Sequence, residues 1–237
     1  MLYTETEVER LAKLKTPLIL VNFKTYTEGM GKRAVDLAKK AERVGFETGV
    51  CIGLAPQYTD ITDLAKTVSL PIFAQHMDHA NPGGFTGHIL PEALKEAGIV
   101  GTLVNHSERR LKLADIEAVT TRAGQLGLAT VICTNNANVS VSAAALKPDC
   151  IAIEPPELIG TGIPVSKAKP EIVADTVKLV RKINRDVTIL CGAGITKGDD
   201  VAAALRLGTK GVLVASGIVK AKDPYSALLD FAKAVVL

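Results

Sequence analysis

The chain has 237 residues, with 28 Lys and Arg against 25 Asp and Glu, a formal net charge of +3, and 47% hydrophobic and 22% charged residues. That balance excludes disordered, collagen-like and mucin-like chains, and the low charge together with four Tyr, five Phe and no Trp argues against a nucleic-acid surface. No apolar run approaches the roughly 18 residues of a membrane span, so no membrane partner is expected and the chain is read as cytoplasmic.

Residues 1–16 are polar and Glu-rich, and Val8, Leu11 and Leu14 fall on one face. This predicts a short helical leader, Thr4–Lys15, that covers the bottom of the following domain or a neighbour, with a frayed tail as the alternative, rather than a signal peptide. From there β-branched apolar runs alternate with segments of helical period. In order come a strand at Leu18–Phe23, a helix at Gly31–Val44, strands at Val50–Ala55 and Pro71–Ala74, a helix at Pro91–Ala97 and a strand at Val100–Val104. A helix at Ala114–Leu126 follows, then strands at Ala129–Cys133 and Cys150–Ile153, a helix at Pro170–Ile183, a strand at Val187–Cys191, a helix at Asp199–Leu207, a strand at Gly211–Val214 and a last helix from Pro224. Pro91, Pro170 and Pro224 each stand where a first-turn proline opens a helix, with Asp223 placed to cap the last.

Strands apolar on both faces and separated by helices indicate a parallel sheet. Residues 17–237 divide into eight βα units of about 28 residues, with no linker between them, which predicts an α/β fold built as one closed (β/α)8 barrel. A doubly wound sheet is the rival arrangement, but it calls for a long crossover that is not seen. Cys51, Cys133, Cys150 and Cys191 sit singly in apolar runs, as buried free thiols in a reducing compartment would.

In such a barrel the reactive groups stand at the C-terminal ends of several strands. Here strand one ends in Asn22-Phe23-Lys24, strand three in Gln75-His76, strand four in Asn105-His106-Ser107-Glu108 and strand six in Glu154-Pro155-Pro156. Lys24, His106 and Glu154 supply a charge stabiliser, an electrophile and a base, enough to abstract a proton next to a carbonyl. Strands seven and eight end in Gly192-Ala193-Gly194 and Ala215-Ser216-Gly217, where small residues let backbone N–H groups approach a phosphate. His76, Asp78, His79 and His88 match no zinc spacing, and no metal is expected. Between Glu154 and Gly162, two prolines at one end and two glycines at the other describe a lid that swings as a unit.

These motifs resemble those of the triosephosphate isomerases, from strand one to strand eight. The resemblance implies the single (β/α)8 TIM barrel of that family, an aldose–ketose isomerase working on triose phosphates without metal or organic cofactor. It makes Glu154 the base and Glu108 the acidic companion of His106. His106 itself would be an imidazole kept neutral by the start of a helix at Ser107 and Glu108, a tuning for which that family is itself the standard worked example. Asn22, Phe23 and Lys24 would bind substrate, as would Ile159 and Gly160 of the lid and Gly194, Ala215 and Ser216 at the phosphate. Gln75 and the Gly84-Phe85-Thr86-Gly87 loop resemble the segment through which subunits dock. Pro156-Glu157 in the lid, Ala193-Gly194 at strand seven and His88 beyond the docking loop depart from the commoner pattern. With the short length they resemble the compact archaeal-type branch, which implies a homo-oligomer, a tetramer ahead of a dimer. Two other functions stay open on the same residues: a Schiff-base aldolase with Lys24 as nucleophile, and a silent barrel that binds sugar phosphates.

Overall fold

The computed structural model describes residues 14–155 and 170–236. Eight strands run in chain order: β1 (Leu18–Asn22), β2 (Cys51–Ala55), β3 (Phe73–Ala74), β4 (Gly101–Val104), β5 (Ala129–Thr134), β6 (Cys150–Ile153), β7 (Thr188–Cys191) and β8 (Gly211–Val214). Their order in the sheet is β2-β1-β8-β7-β6-β5-β4-β3, and every pairing is parallel. The two end strands meet through a parallel bridge between Leu54 and Ile72, the Leu54 N–H donating to the Pro71 carbonyl at 3.0 Å, so the sheet closes on itself. This is the (β/α)8 barrel expected from the strand pattern.

The described helices are α1 (Lys32–Thr48), α2 (Ile61–Thr67), α3 (Pro91–Glu96), α4 (Leu113–Gln125), α5 (Ala137–Ala145), α6 (Pro170–Ile183), α7 (Gly198–Arg206), the single turn α8 (Ser216–Val219) and α9 (Pro224–Val236). In α1 the buried residues Ala34, Leu37, Ala38, Ala41 and Val44 recur at helical spacing, and the helix stops where Gly49 turns left-handed at φ 72° and its N–H caps Gly45. Asp223 does cap α9, accepting from the N–H groups of Tyr225 and Ser226 at 3.1 and 3.3 Å. Helices α2 and α5 were not among the expected segments. The first is only seven residues long, and α5 reads ANVSVSAAA, with Ser140, Ala143 and Ala144 as its buried face, so no polar–apolar period marks it. Its start is fixed by Asn136, whose side chain accepts from the Val139 N–H at 2.9 Å.

Strand alternation sorts the core into two layers. Leu18 and Leu20 point into the barrel with Phe73, Leu103, Val131, Leu190 and Leu213, while Ile19, Val21 and Phe23 point outward to the helices. Phe73 fills the interior at the expense of its neighbours. A Cβ on Gly53 would lie 3.0 Å from the Phe73 ring and one on Gly101 2.7 Å from it, so both flanking strands carry glycine there. The leader falls almost wholly outside the described residues; Leu14, its last apolar position, packs against the interior cluster at the barrel bottom.

Candidate active site

Three strand ends bring polar side chains to one mouth. After β1 the chain turns at Lys24, whose φ of 48° lies in the left-handed region that a lysine rarely occupies. Two side chains hold it there: Asn22 Oδ1 accepts from the Lys24 N–H at 2.9 Å, and Gln75 Nε2 donates to the Lys24 carbonyl at 2.9 Å. The Lys24 ammonium extends to Glu108, Nζ to Oε1 2.8 Å. Asn105, at the end of β4, is also left-handed (φ 60°) and is tied on both sides, Nδ2 donating to the Cys133 carbonyl at 3.0 Å and Oδ1 accepting from the Leu111 N–H at 2.8 Å. This turn delivers the buried ring of His106 to the mouth.

No helix begins behind His106. Ser107 and Glu108 form a turn closed by the Arg109 N–H on the His106 carbonyl at 2.8 Å, and α4 starts only at Leu113. The expected helix-end field is therefore replaced by one directed bond, in which the Glu108 backbone N–H donates to His106 Nδ1 at 3.2 Å. An acceptor Nδ1 puts the ring proton on Nε2. Nε2 in turn lies 3.3 Å from Oε1 of Glu154. Glu154 is 2% exposed, and its second carboxylate oxygen has no hydrogen-bond partner among the described residues. A buried oxygen that no described residue donates to, on a carboxylate that lines the cavity, is placed to receive a proton. The thiol of Cys133 is held far above its ordinary range, by burial first and then by the Glu154 charge, so it stays protonated beside that carboxylate.

Facing this trio are the two small-residue turns. Gly194 is left-handed at φ 71°, and a Cβ on Gly217 would come 2.9 Å from the Ile195 carbonyl, so glycine at 217 lets the turn after β8 close on the turn after β7. Asp200 locks the second of these, its Oδ2 accepting from Thr196 N, Thr196 Oγ1 and Lys197 N at 3.1, 3.0 and 3.2 Å.

One cavity is lined by Asn22, Lys24, His106 and Glu154 together with Gly194, Ala215 and Ser216. One residue predicted for the site stands elsewhere, as Phe23 is fully buried in the outer core against Gly29. Glu108, with a side chain 60% exposed, is not among the cavity-lining residues but stands behind two that are, its Oε1 2.8 Å from Lys24 Nζ and its Oε2 3.7 Å from His106 Nδ1. Ile159 and Gly160, like the rest of the lid from Pro156 on, lie outside the described residues. The structure adds Tyr26 and Thr196 to the lining, and gives Gln75 an inward contact on the Lys24 backbone that the sequence did not announce.

Acid–base groups and small-residue turns converging on the C-terminal mouth of a parallel barrel define a (β/α)8 enzyme that moves protons on phosphorylated sugars. The family model described as triosephosphate isomerase matches residues 17–235. Triosephosphate isomerases of Methanocaldococcus jannaschii and Methanobacterium bryantii are each 57% identical over 216 residues, 91% of this chain and 99% and 96% of theirs. That of Methanothermobacter thermautotrophicus is 50% identical over 228 residues, 96% of this chain and all of its own. The chain belongs to the triosephosphate isomerase family, in its archaeal branch.

Proposed function

We infer that this barrel interconverts dihydroxyacetone phosphate and D-glyceraldehyde 3-phosphate by proton transfer through an enediolate. The observation that carries the reading is the pairing of His106 Nε2 with Glu154 Oε1 at 3.3 Å, with Nδ1 held as an acceptor by the Glu108 N–H. A substrate entering between them meets a carboxylate at its carbon and an N–H donor at its oxygens. Glu154 takes the C1 proton as electrons move onto the C2 oxygen, the Lys24 ammonium stabilises the charge, His106 Nε2 gives its proton to the C2 oxygen and takes up the one leaving the C1 hydroxyl, and the same carboxylate returns its proton to C2. The phosphate is assigned to the backbone N–H groups of the Gly194, Ala215 and Ser216 turns, with Ile159 and Gly160 completing it from the lid.

Residues 17–237 are assigned to one catalytic domain and 1–16 to a leader outside it. The exposed Phe85, between glycines in the loop after β3, supports assembly through that loop, as a dimer or as a tetramer made of two such pairs. The described helices include none long and apolar enough to cross a membrane. Free thiols at all four cysteines fit a reducing compartment, and a cytoplasmic site of action is the reading they support.

A coupled isomerase assay on Glu154→Asp tests the mechanism. Withdrawing the carboxylate by one methylene displaces it by about 1 Å and should lower kcat by ~10²-fold with little change in KM. Retention of wild-type kcat would remove Glu154 from the role of base.

A further inference from the structure

The two ends of the cavity are unevenly charged. At the reacting end the Lys24 ammonium is already engaged by Glu108 at 2.8 Å. At the other end, the lining residues of the β7 and β8 turns carry no charged side chain, although the ligand part assigned there is a phosphate. Among the described residues, Lys197 follows the lining residue Thr196 but faces Asp199 at 3.9 Å, whereas Lys220 stands beside this end without an acidic partner. It follows the single turn α8, its backbone N–H donating to the Ser216 carbonyl at 3.1 Å, and so rides on the same turn whose first residue lines the cavity. Its ammonium lies over the ring of Tyr26, 4.5 Å from the centroid, and Tyr26 is itself part of the cavity wall. Lys220 is exposed and makes no ion pair with any described carboxylate. Glu28, fully exposed, senses its charge without pairing to it among the described residues.

An ammonium on an aromatic face keeps its net charge, because the ring attracts it through a quadrupole and neutralises nothing. The Tyr26 ring therefore fixes the position of a lysine that would otherwise swing in solvent, and leaves its field directed over the mouth. We propose that Lys220, seated on Tyr26, is the residue that draws the substrate's phosphate dianion to the β7–β8 end of the cavity, an electrostatic recruiter distinct from the Lys24 charge at the reacting atoms. The inference rests on the assignment of the phosphate to the Gly194 and Ser216 turns. It gives the two lysines separate tasks. Lys24 acts on the enediolate and so on kcat, while Lys220 acts on capture and so on kcat/KM.

The test compares Lys220→Met, Lys220→Arg and Tyr26→Leu with the wild-type enzyme. Each is assayed with D-glyceraldehyde 3-phosphate over a range of salt, and with D-glyceraldehyde, which has no phosphate. Lys220→Met should lose about tenfold in kcat/KM at low ionic strength, the deficit shrinking as salt screens the wild-type field, with kcat nearly unchanged. Lys220→Arg should retain most of the rate, and Tyr26→Leu should lose part of it by freeing the lysine. Activity on D-glyceraldehyde should be equal in the wild-type enzyme, Lys220→Met and Lys220→Arg. Inorganic phosphate should inhibit the wild-type enzyme competitively and Lys220→Met more weakly. An unchanged kcat/KM in Lys220→Met, or an equal loss on the two substrates, overturns the recruiting role while leaving the site assignment intact if phosphate still competes. Failure of phosphate to compete with substrate in the wild-type enzyme overturns the assignment of the phosphate end, and the role of Lys220 with it.

Discussion

Alanine at position 192 would seat a methyl group 2.7 Å from Cγ of Glu154 and 3.2 Å from the Ile153 carbonyl oxygen. Carbon atoms in good contact stand about 3.5–4.0 Å apart, so the side chain of Glu154 would have to retreat by about 1 Å. The backbone cannot yield easily in its place, because the Gly192 N–H donates to Ile153 at 2.9 Å and holds the end of β7 against β6. A misplacement of that size costs ~10²-fold in rate, or about 2.7 kcal/mol in the barrier. Overpacking should cost a further ~1–3 kcal/mol of stability, visible as a lowered but still cooperative thermal transition. The expected result for Gly192→Ala in the coupled assay is thus a kcat reduced by about two orders of magnitude in a folded enzyme. A double-mutant cycle in thermal stability with Glu154→Ala sharpens this, since removing Cγ leaves room for the methyl and the two losses should be clearly less than additive. A folded Gly192→Ala enzyme with wild-type kcat would refute the argument that the space over Gly192 sets the position of the base.

The loop that projects Phe85, which is 50% exposed, should be sensitive at its neighbour Thr86: Thr86→Arg should shift sedimentation profiles toward smaller species and lower activity, whereas a wild-type chain that sediments as a monomer while fully active would dissociate assembly from catalysis. His76 is buried with Nε2 3.1 Å from Asp78, and its pKa is held below the ordinary 6.5 by burial, with the Asp78 hydrogen bond opposing and the Arg109 charge adding. The unfolded chain then binds more protons than the folded one as pH falls through 6.5, so stability contributed by the neutral ring is complete above that pH and declines below it; urea midpoints should fall on acidification less steeply in His76→Gln, and identical slopes in the two proteins would show that another group is responsible.

The strands were legible because each is a short run of large apolar residues on both faces, a pattern that only a covered parallel sheet requires. Helix α5 was not, since its buried face is made of serine and alanine and its start depends on one side-chain bond from Asn136. The same period-2 alternation that defined β1 also decides the fate of Phe23: it continues the outward series Ile19 and Val21, while Asn22 continues the inward series Leu18 and Leu20, so the core position of Phe23 was readable and the motif distracted from it. The tautomer of His106 was not readable, because it is set by a backbone N–H that carries no residue identity. Nor were the tasks of Gln75 and Gly192, which consist of contacts to Lys24 and Glu154 on other strands.

The barrel has a seam. Strand β3 contributes only Phe73 and Ala74, and is lightly paired on both sides, by a single bridge to β2 and two positions to β4, where β1 and β2 share five. Gln75 follows directly on this strand and reaches across the joint to the carbonyls of Lys24 and Ala55, at 2.9 and 3.1 Å. The weakest stave of the barrel is thus clasped by the same amide that keeps Lys24 in its left-handed turn. Breathing of the barrel wall at this joint would slacken the clasp and let Lys24 relax toward an ordinary backbone, which ties the poise of this cavity-lining cation to the mechanical integrity of the cylinder beneath it.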